Sequence, residues 1–97
     1  MKDRVYGYLK TIPKGKVTTY GRIAAYLGNK NLARTVGNIL HDNPDPFRYP
    51  CHRVVSSKGK VAENYAFGGA DAQRKRLEAE GIIFESDGTV DLEKYGI

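Results

Sequence analysis

The stretch Thr18-Thr19-Tyr20-Gly21-Arg22-Ile23-Ala24-Ala25-Tyr26-Leu27-Gly28-Asn29-Lys30-Asn31-Leu32-Ala33-Arg34-Thr35-Val36-Gly37-Asn38-Ile39-Leu40 decides the fold. Tyr20, Ile23, Ala24 and Leu27 recur at helical spacing, so a helix is expected to open at Thr18 as its N-cap and to close at Gly28. Asn31 is expected to cap a following helix with the apolar stripe Leu32, Val36, Ile39 and Leu40. Two short amphipathic helices joined by Gly28-Asn29-Lys30 make a helix-turn-helix pattern, whose second helix is the candidate recognition element. Such pairs also occur in proteins that never touch DNA, so the spacing leaves both readings open.

Upstream, Val5, Tyr8, Leu9 and Ile12 share one face of a first helix that Pro13 ends. Downstream, Asn43-Pro44-Asp45-Pro46 leaves the helical region, because each proline disfavours α geometry in its predecessor and offers no backbone donor. A rigid loop therefore leads to Pro50-Cys51. Arg53-Val54-Val55, Ser56-Ser57-Lys58-Gly59 and Lys60-Val61 read as strand, turn and strand, the hairpin wing of a winged helix. Glu63 to Gly69 is an aromatic, glycine-punctuated loop. A last helix is expected from Asp71 to Glu80, stopped by Gly81, and a terminal hairpin around Asp87-Gly88 is expected to cover the core. The expected fold is mainly α: a winged helix-turn-helix with small β-hairpin elements, forming one domain over residues 1–97.

At 97 residues the chain has room for a single core and none for a second domain. Its 40% apolar and 28% charged residues describe a globular protein, with no apolar run long enough for a membrane span and no export signal in Met1-Lys2-Asp3-Arg4. A cytoplasmic location and a monomer are expected. One cysteine forbids an internal disulfide, and with two histidines it cannot complete a structural zinc site, so neither a metal nor a cofactor is expected. The net charge of +5 favours polyanions such as nucleic acid, although many basic proteins bind none.

Cys51 is the one candidate nucleophile, and His52 beside it is the candidate base, because a thiol attacks only as its thiolate. Neighbours on an extended chain face opposite ways, so contact between them needs a bent backbone or a bridging water, and a buried inert cysteine is the competing reading. Tyr20 could equally be a core tyrosine with a wet tip, Glu80 an ion-pair partner of Arg76 one turn earlier, and Asn43 a turn former. Arg74-Lys75-Arg76 reads best as a solvated helix face.

Pro50-Cys51-His52-Arg53-Val54-Val55 resembles the signature of the O6-alkylguanine-DNA alkyltransferases, the methylated-DNA–protein-cysteine methyltransferases. Ile12-Pro13-Lys14-Gly15-Lys16-Val17-Thr18-Thr19-Tyr20-Gly21, Ala33-Arg34-Thr35-Val36-Gly37 and Asn43-Pro44-Asp45-Pro46 are similar to the same family, in its order and spacing. The resemblance implies a single-turnover transfer: minor-groove binding of duplex DNA, extrusion of an O6-alkylated guanine, and irreversible movement of the alkyl group onto Cys51.

It further implies that Arg34 fills the gap left by the flipped base, and that Tyr20 donates to the guanine ring. His52 and Glu80 relay the thiol proton through water, and Asn43 ties the recognition helix to the active-site loop. Thr19, Tyr20, Ala33, Arg34, Thr35, Gly37, Asn38 and Arg53 form the implied DNA-contacting set, Arg53 either supporting the loop or meeting a phosphate. Pro50, Val54, Tyr65, Ala66, Phe67 and Gly68 form the implied substrate pocket. Asn64-Tyr65-Ala66-Phe67-Gly68-Gly69 is longer than the family's common Asn-Tyr-Ser-Gly-Gly, and Asn38 replaces a small residue.

Many members carry an N-terminal domain. Short members include alkyltransferase-like lesion sensors that recruit excision repair and have tryptophan in the cysteine position, where this chain has Cys51. The leading expectation is therefore alkyl transfer, with a non-catalytic lesion sensor and a helix-turn-helix transcriptional regulator as alternatives. Against the regulator, the recognition helix offers few base-reading side chains beyond Arg34 and Asn38. A DNA-bound protein of this kind is expected on the nucleoid.

Overall fold

The computed structural model describes residues 1–97 as a mainly helical chain with one small two-stranded sheet. Helix α1 (Lys2–Leu9) buries Val5 and Leu9. Ile12 continues that apolar face beyond the helix end, as the spacing predicts. Strand β1 (Thr18–Thr19) leads directly into α2 (Tyr20–Tyr26). The N-cap of α2 is Thr19 rather than the expected Thr18: its extended backbone lets Oγ1 accept from Arg22 N at 3.1 Å, while Thr18 is engaged in strand pairing. Gly28, at φ +95°, ends the turn after α2 as expected.

A 3₁₀ turn (Lys30–Leu32) precedes α3 (Ala33–His41). It is capped by Asn29, whose Oδ1 accepts from Asn31 N at 2.9 Å; this replaces the cap expected of Asn31. Val36, Ile39 and Leu40 of α3 pack with Ile23 and Ala24 of α2 and with Val5, Leu9 and Ile12. Each fully buried aliphatic side chain contributes about 1.5–3 kcal/mol, so this shared face fixes the mutual angle of α1, α2 and α3. Tyr6 adds a polar tie, donating its hydroxyl to Ile39 O at 3.0 Å while its ring stacks on Tyr49 with centroids 4.9 Å apart.

The expected wing is not a hairpin. Val54–Val55 forms β2, which pairs in parallel with β1 (Thr18 opposite Val54, Thr19 opposite Val55) and not with Lys60-Val61. Ser56 to Lys60 does turn back, closed by Ser56 N to Lys60 O at 2.9 Å, but Val61 continues without strand pairing. Gly59 faces the C-terminal segment instead: its carbonyl accepts from Val90 N at 2.8 Å, and an added Cβ would lie 2.3 Å from Val90 O. The alternating pleat sends Val54 into the α1–α3 core and Val55 into a second cluster with Val17, Leu77, Ile82, Val90 and Tyr95.

Helix α4 (Gly69–Ala79) follows a left-handed Gly68 at φ +118° and ends at Glu80, with Gly81 beyond it, close to the expected bounds. The expected terminal hairpin is a turn only: Glu85 N meets Thr89 O at 2.8 Å, no strand forms on either side, and the chain ends in α5 (Leu92–Tyr95), capped by Asp91. Val90 donates across to Gly59 rather than along a hairpin ladder, which is why the strands fail to pair.

Candidate active site

The Pro-rich segment after α3 is held by Asn43, which is 5% exposed. Its Oδ1 accepts from Asp45 N at 3.0 Å and its Nδ2 donates to Tyr49 O at 2.7 Å, closing the loop on itself. The loop delivers Cys51–Arg53 as a 3₁₀ turn rather than an extended strand. That bend removes the objection that sequence neighbours must face opposite ways, and both Cys51 and His52 are buried.

Cys51 lines a cavity of about 540 Å³ between α3 and the segment Ala62–Ala66. Tyr65 and Ala66, expected in the substrate pocket, line it from the loop, and so do Tyr20 from α2 and Ala33, Arg34, Gly37 and Asn38 from α3, which the resemblance assigned to DNA contact. Leu40, His41, Ala62, Asn64 and Gln73 line it as well, and sequence reasoning missed them. Arg34, Asn38 and His41 recur at helical spacing on one face of α3, a signal that could have found His41. Nothing local marks Gln73.

Several expected residues stand elsewhere. Val54, placed in the substrate pocket by resemblance, is fully buried in the core because β2 pairing turns it inward. Pro50 is buried beneath the cysteine turn, Phe67 packs edge-on against Tyr65 with centroids 5.7 Å apart, and Gly68 caps α4, so none of the three lines the cavity. Thr19 caps α2 and is 6% exposed, and Thr35 lies off the cavity face of α3.

Behind the thiol, His52 Nε2 lies 3.0 Å from Glu80 Oε2, although the two residues are 28 positions apart. The ion pair between Glu80 and Arg76 considered from sequence is absent; Glu80 instead takes two hydrogen bonds from Arg53, Nε to Oε1 at 3.0 Å and Nη2 to Oε2 at 2.7 Å. Arg53 Nη1 also donates to Ile12 O at 2.7 Å, so its guanidinium ties the cysteine turn to the chain just past α1. With Nε2 donating to the carboxylate, His52 Nδ1 keeps its lone pair, and this buried atom has no partner.

Gln73, 1% exposed, fastens α4 to both sides of the turn. Its Nε2 donates to His52 O at 3.0 Å and Val54 O at 2.9 Å, and its Oε1 accepts from Ala62 N at 2.8 Å.

The electrostatics follow from burial. Burial pushes the Cys51 thiol up, against the Asn43 hydrogen bond, the Arg76 charge and the Tyr65 hydroxyl, which pull it down. Burial lowers His52 despite Glu80, so the resting ring is neutral. Burial also raises the Glu80 carboxyl, but hydrogen bonds from Arg53 and His52 outweigh it and hold the group at about 2. Burial and the neighbouring Cys51 raise Tyr20, keeping its phenol protonated.

A buried thiol lining a cavity beside a helix pair, with a carboxylate-held histidine as its chain neighbour, defines a candidate thiol-based site. Residues 1–82 match the family described as the 6-O-methylguanine DNA methyltransferase, DNA binding domain. The chain belongs to this family, whose members include DNA-repair methyltransferases and alkyltransferase-like proteins. It is 39% identical over 95 residues to the DNA base-flipping protein of Escherichia coli, covering 96% of this chain and 70% of that one. With the methylated-DNA–protein-cysteine methyltransferase of Cricetulus griseus it shares 38% identity over 84 residues, which span 87% of this chain and 40% of the relative. The crystal structure of Schizosaccharomyces pombe Atl1 in complex with damaged DNA containing O6-carboxymethylguanine superposes with a TM-score of 0.83 at 36% identity, covering 97% of this chain and 91% of that one.

Proposed function

We propose that this chain repairs duplex DNA by taking an alkyl group from O6 of a flipped-out guanine onto Sγ of Cys51. The observation that carries the reading is the buried, unpartnered Nδ1 of His52, the residue after the cavity-lining Cys51 on the same tight turn, with Nε2 already committed to Glu80. A carboxylate behind an imidazole fixes its tautomer and supports the imidazolium that forms when the ring takes a proton.

The thiol proton passes to Nδ1, directly or through one water. The sulfur attacks the alkyl carbon, an S–C bond forms, and the C–O6 bond breaks with its electron pair leaving on guanine. The guanine anion takes a proton from the Tyr20 hydroxyl, which the imidazolium restores through solvent. The products are guanine and S-alkyl cysteine, so each protein molecule acts once.

On the DNA side, α2 and α3 act as the helix-turn-helix of a winged-helix-like domain, with the Ser56–Lys60 turn in place of a full wing. Helix α3 lies in the minor groove and Arg34 enters the vacated stack, while the +5 charge supplies affinity without sequence preference. Extrusion costs a few kcal/mol of unstacking, and the cavity admits only the extruded base.

A second reading, lesion sensing without transfer, is favoured by the close superposition on a protein bound to damaged DNA and by the burial that keeps the resting thiol protonated. Incubation with a duplex containing one O6-methylguanine, followed by intact mass, separates the two. One added methyl group, absent in Cys51→Ser, is the expected result. Lesion-selective binding with no mass gain would refute transfer and leave the sensor, and no mass gain together with equal affinity for intact and damaged DNA would refute both.

A further inference from the structure

Helix α4 turns Gln73, Arg76 and Glu80 toward the cysteine turn on successive turns. Gln73 holds backbone and Glu80 holds His52, whereas Arg76 reaches Tyr65 on the loop that lines the cavity. Its Nη1 donates to Tyr65 Oη at 2.8 Å, its Nη2 reaches Pro46 O at 3.4 Å, and its guanidinium lies 5.0 Å from the centroid of the Phe47 ring. No carboxylate meets it: the ion pairs of the chain are His52–Glu80, Arg53–Glu80 and Arg74–Glu78. A half-buried guanidinium without an acid partner leaves its field unneutralised at the site it faces.

Beyond Tyr65 lies the cavity that Cys51 lines, and the Arg76 charge pulls the thiol's pKa down. Tyr65 is 8% exposed and lines the cavity with Cys51. A phenol has a single proton, and with an oxygen lone pair occupied by Arg76, Tyr65 is free to donate that proton into the cavity that Cys51 lines, where its hydroxyl pulls the thiol's pKa down.

We infer that Arg76 is a positioning residue for the nucleophile: acting through the Tyr65 hydroxyl, it supplies the positive charge that stabilises the Cys51 thiolate and fastens the proline loop before Cys51 to the Glu63–Gly69 loop. This deepens the alkyl-transfer reading and rests on Cys51 being its reactive thiol. Burial opposes the imidazolium that His52 becomes when it takes the thiol proton, so a second source of positive charge near the thiolate meets a physical need.

The other groups around the sulfur do not supply it. Tyr6 from α1 and Tyr20 from α2 face Cys51 as phenols whose own ionisation it opposes. Asn43 from the loop is neutral. Arg34 lines the cavity from α3 but is itself exposed to solvent, where its charge is screened. Arg76 also disfavours the His52 imidazolium, an effect Glu80 opposes.

The test measures the rate at which iodoacetamide alkylates Cys51, the sole cysteine, across pH in the full chain by intact mass, so that it needs neither DNA nor completed transfer. Arg76→Leu is expected to raise the midpoint of reactivity by about one pH unit and to slow the reaction at neutral pH about tenfold. Arg76→Lys, which keeps the charge, should stay within about threefold of wild type, and Tyr65→Phe should shift the midpoint in the same direction as Arg76→Leu. Arg74→Leu, on the outer face of α4, should change nothing. An unshifted Arg76→Leu, or equal shifts in Arg76→Leu and Arg76→Lys, would overturn the inference. If circular dichroism finds Arg76→Leu unfolded, an unshifted Tyr65→Phe overturns it instead. A shifted midpoint in a protein that never gains a methyl group from O6-methylguanine would refute alkyl transfer while leaving the role of Arg76 standing.

Discussion

Replacing Glu80 with Gln removes the charge on which His52 and Arg53 converge while keeping the size of the side chain. Holding the carboxyl at about 2 instead of 4.5 corresponds to an upper bound of about 3 kcal/mol, because one pKa unit is worth about 1.4 kcal/mol. Discounted for solvent screening, the loss is roughly 2 kcal/mol, which in a domain of this size lowers Tm by about 10 °C.

The sign with pH is definite. A carboxyl held below its unfolded value contributes fully above about pH 4.5, and that contribution is lost as pH falls toward 2. Wild type therefore loses this increment in that window, and the variant has none to lose. The effect on chemistry is separate. An amide can turn its NH₂ toward His52 Nε2, which moves the ring proton to the buried Nδ1 and blocks the atom that should receive the thiol proton. Single-turnover methyl transfer, followed by quenched intact mass, should slow about a hundredfold. Thermal melts between pH 2 and 7 check the first effect. A Glu80→Gln protein within about 0.5 kcal/mol of wild type and within threefold in rate would refute the wiring of His52 through Glu80.

Three further outcomes are expected. Arg34→Ala should weaken binding to a lesion-containing duplex and reduce the slope of log affinity against log salt by about 0.9, measured by fluorescence anisotropy across a salt series, if its charge meets a phosphate. Gly59→Ala, at φ +79° with its Cβ 2.3 Å from Val90 O, should cost about 3 kcal/mol in urea unfolding. Gln73→Leu strands Ala62 N, His52 O and Val54 O in a buried setting and should cost roughly 3–5 kcal/mol in the same assay, together with a loss of transfer rate from misplacement of the turn.

Local chemistry determined much of this protein from sequence alone. Helical periodicity put α1, α2 and α3 within a few residues of their observed places, because each stripe must be buried, and Gly81 marked the end of α4. Asn43 with two prolines dictated a stiff loop before Cys51, and the motif around Cys51 pointed to thiol chemistry on DNA. What failed was pairing. Val54-Val55 could join a hairpin with Lys60-Val61 or a parallel pair with Thr18-Thr19, and only the packed helices, which set β1 alongside β2, chose the latter. The same choice moved Val54 out of the pocket and the α2 cap from Thr18 to Thr19.

The site divides likewise. Cys51, Tyr20 and Arg34 were legible because they sit in short motifs. That Glu80 would meet His52 and Arg53 rather than Arg76, that Gln73 would hold the turn, and that Arg76 would reach Tyr65 depended on how α4 docks across the cysteine turn. Such contacts join residues far apart in the chain, and their energies depend on distance and burial, which only the tertiary structure decides.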